Sequence, residues 1–320
     1  MLSAKSELAQ FGQKLQSRHF LHEVGRVRHL NPVDTESGRK DVGIGFLTCS
    51  LHMPLMLLAA KSFYHFSGIV CPLFVWDDGS LTSRDCAELR KLFPAARIVR
   101  RSDYDLGPLA SYPLISAFAQ QRFKKYESYA PALKLIGPLA SPGAPERVIL
   151  SDSDAFFFDW PQAIAEWLDS DRKTNHYIAP WSGNDNVAEQ DLQDLFVKIK
   201  VSLCPRINSG LLLLHRSIFN LDILEEILKF YRDRPYAWDI EQTIYRILMS
   251  CSESEPLSQD DYVLCHRKYN AVCHHFFTSV IFEEAPVRGK ILNLLGYIKD
   301  CEHRTKPPVN VVQESSKEHR

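Results

Sequence analysis

The stretch Arg147-Val-Ile-Leu-Ser-Asp152-Ser-Asp154-Ala-Phe-Phe-Phe158 decides how this chain folds and what it can bind. A short apolar run leads into two carboxylates that stand one residue apart, and three phenylalanines follow. In an extended chain, side chains at positions i and i+2 point to the same side, so Asp152 and Asp154 are predicted to lie together at the end of a buried strand. Two anionic oxygens there suit a hard divalent cation and, through it, a substrate diphosphate.

The Asp-x-Asp spacing alone is weak evidence, because it also occurs at Asp103/Asp105 and at Asp169/Asp171. The first of these pairs lies in a polar stretch after two arginines, and the second lies at a charged helix end. Only Asp152/Asp154 has apolar segments on both sides. A solvated turn is therefore the favoured explanation for the other two pairs and the less favoured one for Asp152/Asp154.

Composition limits the classes of function. The chain has 320 residues, of which 45% are hydrophobic and 24% are charged, and its net charge is −1. No basic field favours a nucleic-acid partner, and the apolar runs are far shorter than the ~20 residues of a membrane span. The eight cysteines form no C-x-x-C pair, which favours reduced thiols and a cytoplasmic location. The Cys and His residues between 265 and 275 match no common zinc spacing.

Apolar runs alternate with amphipathic stretches along most of the chain. This order is typical of an α/β fold with a mainly parallel, Rossmann-like sheet and helices on both faces. Ser50 is expected to cap the first helix of this fold. The predicted strands are 42–48, 70–76, 97–100, 147–152, 177–181 and 208–215, and the predicted helices are 53–66, 82–93, 114–126, 130–140, 189–200, 219–233 and 239–250.

Three segments follow from this pattern. Residues 1–40 are predicted to be a helical extension and linker, 41–301 the catalytic domain, and 302–320 a disordered tail. The extension is expected either to mediate dimerisation or to cover an acceptor site.

Polar side chains follow three of the predicted strands. Thr48 follows the first strand, Asp77 and Asp78 follow the second, and Asp152/Asp154 follow the fourth. In open parallel sheets, ligands bind beyond the carboxyl ends of the strands. These residues are therefore expected to surround one crevice, although a helix cap at Thr48 and a turn at Asp77 and Asp78 explain them nearly as well.

Four motifs occur in a fixed order: Ala132-Leu-Lys134-Leu, Val148-Ile-Leu-Ser-Asp152-Ser-Asp154, Asn208-Ser-Gly-Leu-Leu-Leu-Leu and Glu241-Gln242. With them, the chain from about Val42 to Lys299 resembles nucleotide-sugar-dependent glycosyltransferases of the A fold, most closely the family-8-like, galactosyltransferase-type enzymes. The resemblance implies a hexosyltransferase that uses a UDP-sugar and Mn²⁺ or Mg²⁺, with retention favoured over inversion.

The resemblance also assigns roles to individual residues. Asp152 and Asp154 would hold the metal at the diphosphate, and Asp152 would also reach the ribose. Contacts to the donor are implied for Thr48, Asp77, Asp78, Lys134, Asn208 and Ser209. Alternatives for two of these motifs are a solvated lysine at Lys134 and a plain turn at Asn208-Ser209-Gly210.

Glu241 and Gln242 are the implied catalytic residues beside the anomeric carbon. A retaining enzyme needs a group that stabilises an oxocarbenium-like centre, whereas an inverting enzyme needs a carboxylate base for the acceptor. Glu241 suits either chemistry, and an exposed helical glutamate is the alternative without function.

The chain departs from the family near its end. Relatives carry a strand with a histidine as third metal ligand, followed by a glycine and a lysine that contacts the diphosphate. The comparable stretch here is Ile291-Leu-Asn293-Leu-Leu-Gly296-Tyr-Ile-Lys299, with Asn293 in place of histidine. Either Asn293 coordinates the metal, or the metal is held loosely, or a histidine elsewhere replaces it. The candidate histidines are His274, His275 and His303.

Two other classes of function compete with the transferase. The absent histidine favours an A-fold protein that binds nucleotide-sugars or acts as a scaffold without turnover. A phosphohydrolase of the haloacid dehalogenase type also carries a strand-end Asp-x-Asp, but there the pair lies on the first strand, whereas Asp152/Asp154 lies in the middle of this chain. The acceptor is not predicted from the sequence.

Overall fold

The structure is a computed structural model of the chain. It describes residues 16–120, 130–179, 204–232, 240–264 and 270–304, together with Leu195 and Val197. The helix expected over 189–200 lies almost entirely outside the described residues, and so do residues 305–320 of the expected tail.

A seven-stranded sheet forms the centre of the fold, with the strand order β3-β2-β1-β4-β7-β6-β8. The first four strands in this order are parallel, β7 is antiparallel to both of its neighbours, and β6 and β8 are parallel. The prediction of a mainly parallel sheet is confirmed. The strands are β1 (Val42–Thr48), β2 (Leu73–Asp77), β3 (Arg97–Val99), β4 (Arg147–Asp152), β6 (Asn175–Ile178), β7 (Asn208–His215) and β8 (Ser254–Pro256).

A second, three-stranded sheet has the order β5-β10-β9. Its strands are β5 (Ala155–Phe157), β9 (Tyr262–Leu264) and β10 (Cys273–His275). Two residues separate the end of β4 from the start of β5. Strand β10 pairs with β5 in the antiparallel direction, so that His275 lies opposite Ala155. The sequence analysis did not predict this small sheet.

Helices cover both faces of the central sheet, as predicted. Helices α1, α2, α5, α8 and α9 pack into one apolar core, and α3, α4, α6 and α7 pack into the other. They are α1 (Met53–Ser67), α2 (Ser83–Leu92), α3 (Pro113–Ala119), α4 (Ala132–Ala140), α5 (Gln162–Asp169), α6 (Leu221–Arg232), α7 (Ile240–Ser250), α8 (Thr278–Glu283) and α9 (Ala285–Arg304). Among the described helices, none has both the length and the apolar character that crossing a membrane requires.

A close contact between helix α4 and strand β2 sets how this helix packs on the central sheet. Gly137 of α4 lies against the ring of Trp76 in β2, and a Cβ on that glycine would come within 2.3 Å of the ring. Trp76 is fully buried, and its Nε1–H donates a hydrogen bond of 2.9 Å to Ser141 Oγ at the end of α4. The missing side chain at Gly137 therefore lets α4 pack closely on the sheet.

The first described residues pack into the first core. Residues 16–24 are helical, a 3₁₀ turn follows over Gly25–His29, and four apolar side chains of this region are buried in the first core. These are Phe20, Val24, Val27 and Leu30.

The capping residue of α1 is a correction to the sequence analysis. The N-cap is His52, without a capping hydrogen bond from its side chain. Ser50 instead donates a hydrogen bond of 2.7 Å to Asp85 Oδ2. Asp85 and Thr82 form the capping box of α2. Ser50 therefore ties the end of β1 to α2 and does not start α1.

Candidate metal centre and active site

Asp152 and Asp154 lie together where the two sheets meet. Asp152 is the last residue of β4, Asp154 stands in the turn before β5, and the hydroxyl of Ser153 between them donates to the backbone oxygen of Leu47 in β1. The side chain of Asp152 is 28% exposed and that of Asp154 is 11% exposed. The turn places both carboxylates together at the carboxyl end of β4, as the sequence predicted.

His275 completes a group of three potential metal ligands with Asp152 and Asp154. Its Nε2 lies 3.2 Å from Asp154 Oδ1 and 3.5 Å from Asp152 Oδ2. The ligand atoms of the three residues all lie within 4.8 Å of one another. The pairing of β10 with β5 produces this arrangement, because it brings the end of β10 next to the turn that contains Asp154. Among the candidate histidines of the sequence analysis, His275 is the one beside the aspartates.

The His275 ring is held in one orientation. Its Nδ1 lies 2.8 Å from Asn208 Oδ1 at the start of β7. An amide oxygen only accepts hydrogen bonds, so Nδ1 carries a proton and Nε2 faces the carboxylates. The ring also lies directly on Gly210, where a Cβ would come within 2.1 Å of Nδ1. Asn208, for which the resemblance implies a contact with the donor, and Gly210 thus position a potential metal ligand.

Charge stabilises the contact between Asp154 and His275. Burial opposes ionisation of Asp154, but His275 and a hydrogen bond of 2.7 Å from the hydroxyl of Thr278 outweigh it and lower the pKa of Asp154. Burial also opposes protonation of His275, but Asp154 and then Asp152 outweigh it and raise the pKa of His275. Without a metal, these residues form an imidazolium–carboxylate pair.

Lys134 is buried and connects three elements of the fold. Its Nζ lies 2.8 Å from Asp152 Oδ1, 3.4 Å from Glu241 Oε1 and 2.9 Å from the backbone oxygen of Ser209. Burial would lower the pKa of Lys134, but the two carboxylates raise it well above its ordinary value. The alternative of a solvated lysine is wrong, because the residue is only 4% exposed. Its predicted contact with the donor stays a prediction.

Glu241 and Gln242 meet Ser209 at the start of α7. Glu241 Oε2 accepts a hydrogen bond of 3.0 Å from Ser209 Oγ, and Gln242 Oε1 accepts one of 3.3 Å from the backbone N–H of the same serine. Burial raises the pKa of Glu241 to about 7, although Lys134 partly opposes this shift. The alternative of an exposed helical glutamate is wrong, because Glu241 is 5% exposed.

The residues proposed for the nucleotide base lie at the neighbouring strand ends. Thr48 is paired in register with Asp77 at the ends of β1 and β2. Asp77 Oδ1 accepts backbone hydrogen bonds from Gly79 and Leu81, and Asp78 Oδ1 accepts hydrogen bonds from Ser80. The turn alternative therefore accounts for both aspartates, and their contact with a nucleotide stays a prediction.

The strand that the family resemblance implies for residues 291–299 is wrong. Residues 291–299 belong to helix α9, in which Asn293 and Lys299 are exposed. The helical pattern of Ile291, Leu294, Leu295 and Ile298, which are buried against the first core, explains this outcome. Asn293 thus occupies an exposed face of a helix, whereas His275 lies against both aspartates.

From the sequence, His275 is one of several candidate ligands, and Thr278 is not predicted to belong to the site. In the sequence, 120 residues separate His275 from Asp154, so no short motif joins them. The strand that carries His275 spans only three residues, so no local pattern marks it. In the stretch first aligned with the family, glycine and lysine stand three and six positions after Asn293. The same positions after His275 are Thr278 and Ile281.

The three ligands fit a divalent metal ion. Two carboxylate oxygens and one imidazole nitrogen are a donor set that suits Mn²⁺. A hydrogen bond from the second ring nitrogen to an amide oxygen is the usual way to orient a histidine ligand. Asp152 Oδ2, Asp154 Oδ1 and His275 Nε2 are the atoms that face one another. Seven described cysteines form no disulfide among the described residues, and none belongs to this group of ligands.

Comparisons with known proteins give a common class. No protein-family profile and no curated protein sequence matches the chain. Solved structures similar to it include the apo form of mouse xyloside xylosyltransferase 1, at 14% identity and a TM-score of 0.48, which covers 78% of this chain and 99% of that chain. Galactosyltransferase LgtC with donor and acceptor sugar analogues matches at 13% identity and a TM-score of 0.48, covering 80% and 95%.

The mannosyltransferase Ktr4p from S. cerevisiae matches at 9% identity and a TM-score of 0.43, covering 75% of this chain and 78% of that chain. All three similar structures are glycosyltransferases, the class that the sequence resembles. At TM-scores below 0.5, the likeness supports no conclusion about activity, which must come from the site itself.

Proposed function

We propose that this protein transfers a glycosyl group from a nucleotide-diphospho-sugar to an acceptor. The observation that carries the proposal is the convergence of Asp152, Asp154 and His275 at the carboxyl edge of a parallel sheet, where such sheets bind ligands. Lys134 and Glu241 lie directly beside this group. A metal centre next to a buried, hydrogen-bonded carboxylate matches what transfer from a diphosphate donor needs.

The metal would be held by the three ligand atoms that face one another. When bound, Mn²⁺ or Mg²⁺ would neutralise charge on the departing nucleoside diphosphate. Lys134 holds Asp152 by its Oδ1, which leaves Oδ2 directed toward His275. Thr278 does the same for Asp154, because its hydroxyl binds Oδ2 and leaves Oδ1 on the side of His275. These contacts fix both carboxylates before a donor binds.

Glu241 and Gln242 are proposed to line the donor sugar, and we place the enzyme among the retaining ones. A general base for an inverting reaction must reach the acceptor hydroxyl. Glu241 is instead buried and bonded to Ser209 and Lys134. Its carboxylate therefore suits electrostatic stabilisation of a positively charged sugar better than removal of a proton from an acceptor.

The proposed donor is a UDP-sugar and the proposed transferred group is a hexosyl group. Both proposals depend on the sequence resemblance alone. Thr48, Asp77 and Asp78 are the residues proposed near the nucleotide. The absence of a disulfide among the described cysteines supports a cytoplasmic location. Screening a panel of acceptors would identify the acceptor.

The experiment follows the release of nucleoside diphosphate from a panel of UDP- and GDP-sugars with Mn²⁺, Mg²⁺ or EDTA. We expect slow, metal-dependent hydrolysis of one donor, and a loss of about a hundredfold or more in Asp154→Asn. Asp171→Asn is the matched control, because Asp171 belongs to an exposed Asp-x-Asp pair. NMR of the released sugar, read before mutarotation, reports retention or inversion.

The same experiment separates the competing functions. Tight donor binding without release of diphosphate in the presence of a broad acceptor mixture would instead indicate a binding or scaffold protein. Release of phosphate from simple phosphomonoesters would indicate a phosphohydrolase. His275 beside the aspartates supports the transferase over a binding protein, which is the alternative that the missing histidine at position 293 favours.

A further inference from the structure

A cleft of about 900 Å³ lies between residues 22–31, here called the N-terminal region, and helix α9. Its lining shares no residue with the metal centre. Four arginine and lysine side chains and three histidines face it, together with the apolar side chains of Leu292 and Leu295. The cationic residues are Arg26, Arg28, Arg84 and Lys299, and the histidines are His22, His29 and His303.

The carboxylates around this cleft are already paired. Glu302 Oε1 lies 2.6 Å from the Nζ of Lys61, and Glu302 Oε2 accepts a hydrogen bond of 2.8 Å from the backbone N–H of Asn31. Glu23 lies 2.9 Å from Arg26. Both lining carboxylates therefore have cationic partners and leave part of the positive charge of the cleft uncompensated.

The remaining cations exceed their counter-charges. Arg28 and Arg84 share one carboxylate, Glu88, at 2.7 and 3.1 Å. Lys299 is an exposed fourth cation of the lining. Among the described residues, the lining and its ion-pair partners thus bring five cationic groups against three carboxylates, in a chain whose net charge is −1. A concave surface lined by one sign of charge concentrates the electrostatic potential and attracts counter-ions.

The shape and chemistry of the cleft indicate its ligand. Its volume lies in the range of small-molecule pockets. Guanidinium and ammonium groups bind phosphate oxygens by charge-assisted hydrogen bonds, and a leucine wall suits an apolar or ring portion of the same molecule. We infer that this cleft is a second anion-binding site, separate from the proposed donor site, for a small organic molecule that carries a phosphate or diphosphate group.

The pairing of Arg84 is compatible with this role. Its side chain is 81% exposed, and its bond to Glu88 is a surface pair one helical turn apart. Such pairs contribute little to stability, so Arg84 can turn from Glu88 to a ligand at small cost while Arg28 keeps the carboxylate. A bound anion would also join the N-terminal region to α9, and binding is therefore expected to raise the melting temperature.

The test uses inorganic pyrophosphate as the probe, with the full-length Asp154→Asn protein in EDTA, so that the metal centre does not contribute. We expect binding by calorimetry and a rise in melting temperature, both weakened by added salt. Arg84→Glu/Lys299→Glu should lower the affinity by about tenfold or more, because it replaces two cations with two anions. Arg90→Glu/Lys91→Glu, two exposed positions of α2 outside the cleft, is the control of equal charge change and should bind as before.

Two results would overturn the inference. One is the absence of pyrophosphate binding without a metal, in which case any binding seen with Mn²⁺ belongs to the proposed donor site. The other is an affinity that Arg84→Glu/Lys299→Glu and Arg90→Glu/Lys91→Glu lower equally, which would indicate general charge attraction. If the charge reversal disturbs folding by circular dichroism, Arg84→Ala/Lys299→Ala gives the same comparison. Failure of the donor assay would leave this result unaffected, because the probe is read without metal or turnover.

Discussion

At the scale of single residues, the site depends on side chains that hold other side chains. Asp152 has one oxygen on Lys134 and the other directed to His275, and Asp154 is similarly divided between Thr278 and His275. Each carboxylate oxygen thus has a defined use. This arrangement fixes the ligand geometry before the metal arrives, which reduces the conformational entropy lost on binding.

Asn208→Ala tests how much the orientation of His275 contributes. The substitution removes the oxygen that accepts from Nδ1, so the ring can rotate or change tautomer. We expect the affinity for Mn²⁺ to fall by about 10- to 100-fold, measured by calorimetry on the purified protein. Asn208→Asp retains an acceptor oxygen and should recover most of the affinity. Equal losses in both variants would contradict a role in orienting His275.

The affinity for Mn²⁺ should depend on pH. The pKa of His275 is raised above its ordinary value of 6.5, because Asp154 and Asp152 overcome the effect of burial. Below the raised pKa the metal must displace the proton on Nε2, so affinity should rise with pH by about tenfold per unit and level off above that pKa. Calorimetry in buffers of different ionisation enthalpy would count the released proton, and binding without proton release at low pH would contradict the assignment.

The same shift affects the stability of the metal-free protein with the opposite sign. Since the pKa of His275 is higher in the folded than in the unfolded state, its contribution is fully present below the unfolded value. It is then lost as the pH rises through the folded value. For Asp154, whose folded pKa is lowered, the contribution is present above the unfolded value and is lost as the pH falls through the folded value.

At the scale of elements, the contact between β7 and β10 depends on a residue without a side chain. The His275 ring occupies the space of a Cβ at Gly210. Gly210→Ala must therefore displace the ring or the strand, and we expect a loss of roughly 1–3 kcal/mol in the free energy of unfolding together with weaker metal binding. Urea unfolding followed by circular dichroism measures the first effect.

Gly289→Ala is the matched control for Gly210→Ala. Gly289 lies in helix α9, and a Cβ there would meet nothing within 4 Å. We expect that variant to be more stable than the unmodified protein by about 0.5–1 kcal/mol, because alanine favours the helix. If Gly210→Ala were equally harmless, the close contact of His275 with β7 would not exist in solution.

At the scale of the whole molecule, a buried ion pair joins the N-terminal region to the last described helix. Lys61 of α1 donates to the backbone oxygen of Asn31 at 2.8 Å and lies 2.6 Å from Glu302 of α9. Lys61→Met leaves Glu302 without its cation, and we expect a loss of roughly 2–4 kcal/mol. Thermal unfolding and limited proteolysis between residues 31 and 40 would report it.

A double variant separates packing from charge in that pair. In Lys61→Met/Glu302→Leu neither charge remains, so the loss should be clearly smaller than in Lys61→Met alone. A double variant that is as unstable as the single one would show that the hydrogen bonds to Asn31, rather than the ion pair, hold the N-terminal region in place.

The sequence by itself determined six of the seven strands of the central sheet, all except β8, and the position of the two aspartates. An apolar run before Asp152 can be buried only as a strand at this length, and alternation with helices makes such strands parallel. The family resemblance implied Lys134, Asn208, Ser209, Glu241 and Gln242, and the structure joins all five to one network around Asp152 and His275.

Only the tertiary structure decided which histidine joins the aspartates. His275 reaches Asp154 through the pairing of β10 with β5, and such a pairing between distant short strands leaves no local pattern in the chain. In residues 291–299 the apolar side chains have helical spacing, which agrees with the observed helix, whereas the similarity of Gly296 and Lys299 to the family motif does not. Long-range pairing and helical periodicity, rather than motif spacing, determine where these side chains lie.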